Sequence, residues 1–194
     1  MDRIVLASGS PRRRQLLEWA EVPFTVIVSD ADESFPPGSD PGEASVRVAL
    51  AKAEAVRNGD TYRGLPLAPP ILAADTMVVL DGDVIGKPVD RQDAIRILSR
   101  LSGRSHEVVT GVVILHRGHM TRFHDITTVW FHEMEPEGIE HYVDRYAPYD
   151  KAGAYAIQEW IGVVGIKRIE GDFYNVMGLP VSRVVHALKS VIPH

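Results

Sequence analysis

The feature that most constrains this chain is a hand-over near its start. The apolar run Ile4-Val5-Leu6-Ala7 ends in Ser8-Gly9-Ser10-Pro11, and a helix-period pattern with Leu16, Leu17 and Ala20 on one side follows at once. A short apolar run closed by turn residues reads as a buried strand. Ser10 suits a helix N-cap, and Pro11 suits the first helical position, where a missing N–H costs nothing. A strand that feeds a helix in this way needs further strands beside it.

The rest of the chain supplies them. Phe24 to Val28 is a second strand, closed by the acidic turn Ser29-Asp30-Ala31-Asp32-Glu33, and Phe35 through Pro41-Gly42 is a loop by its turn chemistry. Residues 43–57 follow as a helix with Val48, Ala51 and Ala55 at helical spacing. After the Pro-rich connector Leu65 to Pro70, Ile71 to Leu80 is apolar nearly throughout, and Asp81-Gly82 turns it back through Val84-Ile85 as a hairpin. Asp90 caps a helix that ends at Ser102-Gly103, with Ile97, Leu98 and Leu101 inward. Residues 107–115 and 126–132 read as antiparallel strands around His116-Arg117-Gly118-His119. A helix from Pro136 to Tyr146, a Gly- and aromatic-rich stretch from Pro148 to Trp160, a last strand from Val163 to Ile169 and a helix opened by Pro180 complete the chain. Strands and helices interleave, but the hairpins break a purely parallel scheme. The expected fold is α/β with a mixed sheet.

Composition narrows the function. The 194 residues carry 26 acidic against 21 basic side chains and no cysteine. The length predicts one domain, or two lobes sharing a sheet. Without cysteine there is no disulfide scaffold, thiol nucleophile, thiolate zinc site or dithiol redox centre. No stretch approaches the ~18 apolar residues of a membrane span, and Met1-Asp2-Arg3 with four apolar residues is too short for a signal peptide. The acid excess argues against a nucleic-acid polymer as partner. A cytosolic protein is expected.

Charge is nonetheless segregated. Residues 1–14 hold four arginines against one aspartate, and residues 30–33 hold three acids. In Ser8-Gly9-Ser10-Pro11-Arg12-Arg13-Arg14, three arginines occupy the first helical turn. There they face the positive end of the helix dipole, at a cost of a few tenths to ~1 kcal/mol each. Cations at that end, with free amides and hydroxyls, suit a bound phosphate chain; the alternative is a solvated basic turn. Asp75, inside Ala73-Ala74-Asp75-Thr76-Met77, is a carboxylate in an apolar strand. Burying it is expensive unless it is paired, metal-bound or opens into a cleft. It either activates water, holds a metal ion, or is structural and satisfied by backbone amides. Thr76, on the opposite face of a regular strand, is a site-edge or packing residue. Asp30, Asp32 and Glu33 are oxygen donors suited to Mg²⁺, or solvated turn acids.

Gly82 to Pro88 lacks the spacing and the Ser/Thr of a P-loop, although Lys87 can still reach a phosphate as a point charge. His116, His119 and His124 lie among arginines and form no His-Glu-x-x-His helix. No Gly-x-Ser-x-Gly elbow supports a serine hydrolase. In Tyr149-Asp150-Lys151-Ala152-Gly153-Ala154-Tyr155-Ala156-Ile157-Gln158, small residues allow close backbone approach. The Gln158 amide there either reads a base edge through paired donor and acceptor groups or belongs to a tightly packed loop.

Ser8-Gly9-Ser10-Pro11-Arg12-Arg13, Ala74-Asp75-Thr76, Gly86-Lys87-Pro88, Ser102-Gly103-Arg104, Tyr149-Asp150-Lys151-Ala152-Gly153 and Phe173-Tyr174-Asn175-Val176-Met177-Gly178-Leu179-Pro180 resemble, in order, the motifs of the Maf family of nucleoside triphosphate pyrophosphatases. The resemblance runs from the first strand to the last helix. It implies a mixed twisted sheet flanked by helices, with two lobes around a cleft, as in inosine triphosphate pyrophosphatases, and a single catalytic domain over 1–194. It also implies hydrolysis between the α and β phosphates with a divalent cation, Mg²⁺ or Mn²⁺, and a homodimer. Asp75 would accept the proton of the attacking water. Arg12, Thr76 and Gln158 fall on the substrate-selecting positions, and their combination looks like the branch acting on dTTP and UTP. On this reading Ser8, Ser10, Arg12 and Arg13 grip the phosphates, Lys52 and Lys87 add positive charge, and Glu33 and Asp75 flank the metal. The competing expectations are a nucleotide-sensing regulator of cell division without catalysis, and a phosphatase releasing inorganic phosphate.

Overall fold

The computed structural model describes residues 3–28 and 30–191. Met1, Asp2 and Ser29, which enter the reading of the first residues and of the acidic turn, lie outside them. In chain order the elements are β1 (Ile4–Leu6), α1 (Pro11–Trp19), β2 (Phe24–Val26), α2 (Pro41–Asn58), α3 (Asp60–Arg63), β3 (Ile71–Leu80), β4 (Asp83–Ile85), α4 (Arg91–Leu101), β5 (Ser105–His116), β6 (His119–Phe131), α5 (Pro136–Tyr146), a 3₁₀ turn (Ala152–Ala154), α6 (Trp160–Gly165), β7 (Ile166–Glu170), α7 (Phe173–Met177) and α8 (Val181–Val191). The strands are ordered β2-β1-β3-β5-β6-β7, with β4 paired to β3. β1 is parallel to β2 and β3, whereas β3/β4 and β6/β7 are antiparallel, so the sheet is mixed as expected. Among the described residues no helix is long and apolar enough to cross a membrane.

The backbone forms two compact units. The first takes in the chain up to Asp75, Thr110–Asp125 and the chain from Gly178 on. Its core shows the two periodicities meeting. Val5 of β1 and Ala7 just beyond it, Ile71 and Ala73 of β3, and Val113 and Leu115 of β5 alternate along the chain, and all pack with Ala49, Ala53 and Val56 of α2. Gly111 lets β5 approach α2 closely, because a Cβ there would lie 2.3 Å from the Ser45 carbonyl carbon and the Val46 nitrogen. The second unit comprises Thr76–Val109 and Ile126–Met177. α4 begins at Asp90, whose side chain accepts from the Asp93 amide, and buries Ile97, Leu98 and Leu101.

Both hairpin turns read from the sequence are present and close on two residues. Asp81 and Gly82 have φ of 53° and 85°, and Arg117 and Gly118 have 47° and 82°. Positive φ at both central positions is what a two-residue hairpin linking twisted strands requires.

Several boundaries differ from the sequence reading. α2 starts at Pro41 instead of 43, because Asp40 caps it by accepting from the Glu43 amide at 2.9 Å and Pro41 fills the first helical position. β6 starts at His119, well before 126; its first half is exposed and polar, so its apolar content gave no strand signal. β2 ends at Val26, short of Val28. Val163–Gly165 is helical, not strand: the Gly162 and Val163 amides donate to the Glu159 carbonyl, and β7 begins only at Ile166. The β-branched pair Val163 and Val164 is exposed, and local hydrogen bonding overrides its strand propensity.

Candidate active site

In the first unit, the loop from β1 to α1 folds on itself. Ser10 occupies the N-cap position, but its side chain makes no capping hydrogen bond. The hydroxyl of the buried Ser8 accepts instead from the Ser10 amide at 3.3 Å and from the Arg13 guanidinium at 3.0 Å. Arg13 is itself buried, and its Nε donates to the Gly178 carbonyl at 2.8 Å. This guanidinium ties the start of the chain to the motif that precedes α8. Burial pulls its pKa below the ordinary arginine value; the charge of Asp75 opposes that, Arg12 adds to it and Glu33 opposes it. Arg12 is only partly buried and Arg14 is exposed. The basic run is therefore one internal strut flanked by two arginines nearer the surface.

Asp75 continues the alternation of Ile71 and Ala73, which places it on the face of β3 covered by α2. Lys52 lies on α2 one turn beyond Ala49. Its Nζ donates to Asp75 Oδ1 at 2.7 Å and stands 3.0 Å from Glu33 Oε1. The side chains of Lys52 and Asp75 are 15% and 14% exposed, and that of Glu33 is 57% exposed. The mid-strand carboxylate is thus paired, which is one of the conditions under which such a group can be buried. Of the three acids after β2, only Glu33 makes this contact. The Asp32 carboxylate accepts from the Ser34 hydroxyl and amide, which hold its pKa below the usual carboxylate range.

Glu33 and Asp75 present two hard oxygen donors to one point, at present held by an ammonium. Among the described residues no group of three or more His, Cys, Asp or Glu converges. Two carboxylates fit a hard divalent cation that takes the rest of its shell from water and phosphate oxygens, as Mg²⁺ does. They do not make a complete protein cage. His116 Nδ1 is hydrogen-bonded with the Val191 carbonyl, and the His124 ring packs over Gly42.

In the second unit, Thr76 is half-buried on β3, and Lys87 is exposed just after β4. The Gly153 amide donates to the Gly86 carbonyl at 3.1 Å, which ties the Lys87 loop to the Ala152–Ala154 turn. Gly153 has φ of +70°, and a Cβ on it would come within 2.9 Å of Val78, two residues beyond Thr76 on the same face of β3. Glycine is required there by both backbone and space. Gln158 is an exposed residue at the end of a buried run. Two residues that meet the turn carrying Gln158 escaped the sequence reading, Tyr142 and Glu159, and so did the buried His106 against Tyr155. None sits in a pattern that spacing could expose, because each acts through a partner distant in sequence.

Comparison with known proteins follows the same line. The family described as Maf-like protein matches residues 3–191. A dTTP/UTP pyrophosphatase of Porphyromonas gingivalis is 46% identical over 188 residues, covering 96% of this chain and 93% of that protein. A dTTP/UTP pyrophosphatase of Halalkalibacterium halodurans is 47% identical over 191 residues, covering 97% of this chain and 96% of that protein. Among solved structures, the Staphylococcus aureus Ham1 protein aligns with 67% of this chain and 72% of its own, at a TM-score of 0.43 and 16% identity.

Proposed function

The chain belongs to the Maf-like protein family, and from that premise we propose that it is a nucleoside triphosphate pyrophosphatase that hydrolyses dTTP and UTP to the monophosphate and pyrophosphate. The observation that carries the reading is the Glu33–Lys52–Asp75 assembly, in which a strand carboxylate is oriented by an ammonium that can change partners. A regulator that only senses nucleotides has no use for such a carboxylate. The family's named relatives supply the substrate.

On this reading Asp75 accepts a proton from water as the water oxygen attacks the α-phosphorus. The bond from that phosphorus to the bridging oxygen breaks, and pyrophosphate leaves with the electron pair. Positioning and charge do most of the work in phosphoryl chemistry of this kind. Arg12 and Ser10 hold the phosphates, with Ser8 and Arg13 fixing the loop that presents them. Lys52 and Lys87 offset the negative charge. Glu33 and Asp75 would hold a Mg²⁺ or Mn²⁺ ion, which when bound offsets repulsion among phosphate oxygens and lowers the pKa of water. Thr76 and Gln158 carry base selection. The proposal extends to a single catalytic domain and a cytoplasmic homodimer, the latter checked by light scattering.

The decisive measurement is a panel of nucleoside triphosphates assayed with Mg²⁺ and with Mn²⁺, with the products resolved. Pyrophosphate and monophosphate from dTTP and UTP, well ahead of purine nucleotides, are expected. Inorganic phosphate would make the protein a phosphatase. Binding without any product would make it a nucleotide-sensing regulator.

A further inference from the structure

Gln158 sits at the corner of a turn whose two ends are gripped by one buried hydroxyl. The Glu159 amide donates to the Ala156 carbonyl at 3.1 Å, which closes a turn with Ile157 and Gln158 as its central residues. From Gly153 to Ile157 every residue is buried, and Gln158 alone emerges. Beneath the turn lies Tyr142 of α5, fully buried and stacked on Tyr146. Its hydroxyl accepts from the Ala156 amide at 3.2 Å and donates to the Glu159 carboxylate through Oε2. One oxygen thus serves as acceptor for the first residue of the turn and donor to the last. The other Glu159 oxygen lies 3.5 Å from the ammonium of the buried Lys151. On the far side, Gly162 lets the Ile157 carbonyl pass where a Cβ would stand 1.7 Å from its oxygen.

An exposed amide reads a base only if its donor and acceptor arrive at a fixed place and angle, because hydrogen bonds weaken steeply with misalignment. A turn locked at both ends fixes the backbone from which the amide reaches, which a glutamine on a loose surface loop lacks. We propose that Tyr142 is a positioning residue for base selection, its hydroxyl holding the 156–159 turn so that Gln158 meets the nucleotide base in a single presentation. The proposal rests on the dTTP/UTP reading above and names the device that enforces it. Removing the hydroxyl leaves a buried amide and a partly buried carboxylate oxygen short of a partner, and the turn relaxes to satisfy them. Base discrimination is lost with it, while the phosphate chemistry on the first unit's residues continues.

The test uses the full-length protein as wild type, Tyr142→Phe, Gln158→Ala and the double variant. For each, kcat and KM are measured with dTTP and with dATP, and dissociation constants for the same nucleotides by calorimetry in EDTA. Tyr142→Phe is expected to raise KM for dTTP and to lower the dTTP-over-dATP ratio of kcat/KM about fivefold, the scale of one buried hydrogen bond. Its kcat for dATP should stay within about twofold, and it should add nothing to the ratio in the Gln158→Ala background. An equal loss for both nucleotides, or an undiminished effect without Gln158, overturns the proposal. A wild type that shows no base preference overturns it too. Should Tyr142→Phe fail to fold by circular dichroism, Glu159→Ala removes the acceptor of the same hydroxyl and is read in its place. If the wild type binds nucleotides but hydrolyses none, the pyrophosphatase reading falls, while the ratio of dissociation constants still decides the role of Tyr142.

Discussion

Two polar clusters in this protein are built on opposite principles. In the first unit, Glu33, Lys52 and Asp75 meet as formal charges, 2.7 and 3.0 Å apart, with Glu33 more than half exposed. Water reaches the Glu33 end, while Lys52 and Asp75 are largely buried, so the ammonium changes partners where a cation or phosphate replaces the one it leaves. In the second unit, Tyr142, Ala156 and Glu159 meet through one buried hydroxyl. The Tyr142 hydroxyl and the Ala156 amide are buried there, with the Glu159 side chain 23% exposed, and a buried donor left unpaired costs its desolvation penalty. The difference separates two duties. A group that takes a proton and shares its charge with phosphates and cations has to change partners during a turnover. A group that reads a base has to stay where it is.

The strongest way to break the first side of this contrast is Asp75→Asn, which keeps the shape and removes the charge. A general base contributes ~10²–10⁴-fold, so pyrophosphate release from dTTP should fall by that factor while thermal stability changes little. A variant retaining more than a tenth of the wild-type rate would show that the carboxylate is only structural.

His106 tests the rigidity of the second side. Its ring is 2% exposed, lies edge-on to Phe131 and Tyr155, and has Nε2 2.7 Å from the Tyr155 hydroxyl while Nδ1 has no partner. Burial pushes its pKa down from 6.5 to about 4. The unfolded chain therefore binds this proton at a higher pH than the folded one. Its stabilisation is complete above pH 6.5 and drains away as pH falls toward 4. Each pH unit between those two values is worth about 1.4 kcal/mol, so up to about 3 kcal/mol is at stake. Thermal unfolding of wild type and His106→Asn across pH 7 to 4 should show the wild type losing stability more steeply. Parallel curves would mean that the ring takes its proton without unfolding anything.

The sequence discloses the first cluster far better than the second, for a physical reason. A carboxylate in the apolar run from Ile71 to Leu80 stands out because burying charge is expensive, and three arginines at a helix start stand out because the dipole disfavours them. Local rules also locate the hairpins at Asp81-Gly82 and Arg117-Gly118, the cap at Asp90 and the helix from Pro136 to Tyr146. What is hidden is what acts across distance. Tyr142 looks like one more apolar face residue of its helix, since nothing near it announces that its hydroxyl meets residues 156 and 159. Arg13 looks like its neighbours, although it alone is buried and reaches the Gly178 carbonyl. Val163 and Val164 look like a strand, and only the amides that bond to the Glu159 carbonyl make them helical.

A smaller effect than those expected at Asp75 and His106 probes the exchange of partners directly. The Lys52 ammonium stands where the oxygens of Glu33 and Asp75 converge, and a divalent cation drawn to the same two oxygens cannot share that point with it. Cation binding therefore carries the cost of moving Lys52 away, a cost that phosphates would lower by giving the ammonium a new partner. Lys52→Gln removes that cost. Without nucleotide, its Mn²⁺ affinity, read by electron paramagnetic resonance of the free ion, should tighten by up to about tenfold, or about 1.4 kcal/mol. Tyr142→Phe, which touches only the rigid cluster, should leave that affinity unchanged. If Lys52→Gln binds Mn²⁺ no better than wild type, the ammonium and the metal do not compete. The charged cluster would then be as fixed as the one around the Tyr142 hydroxyl.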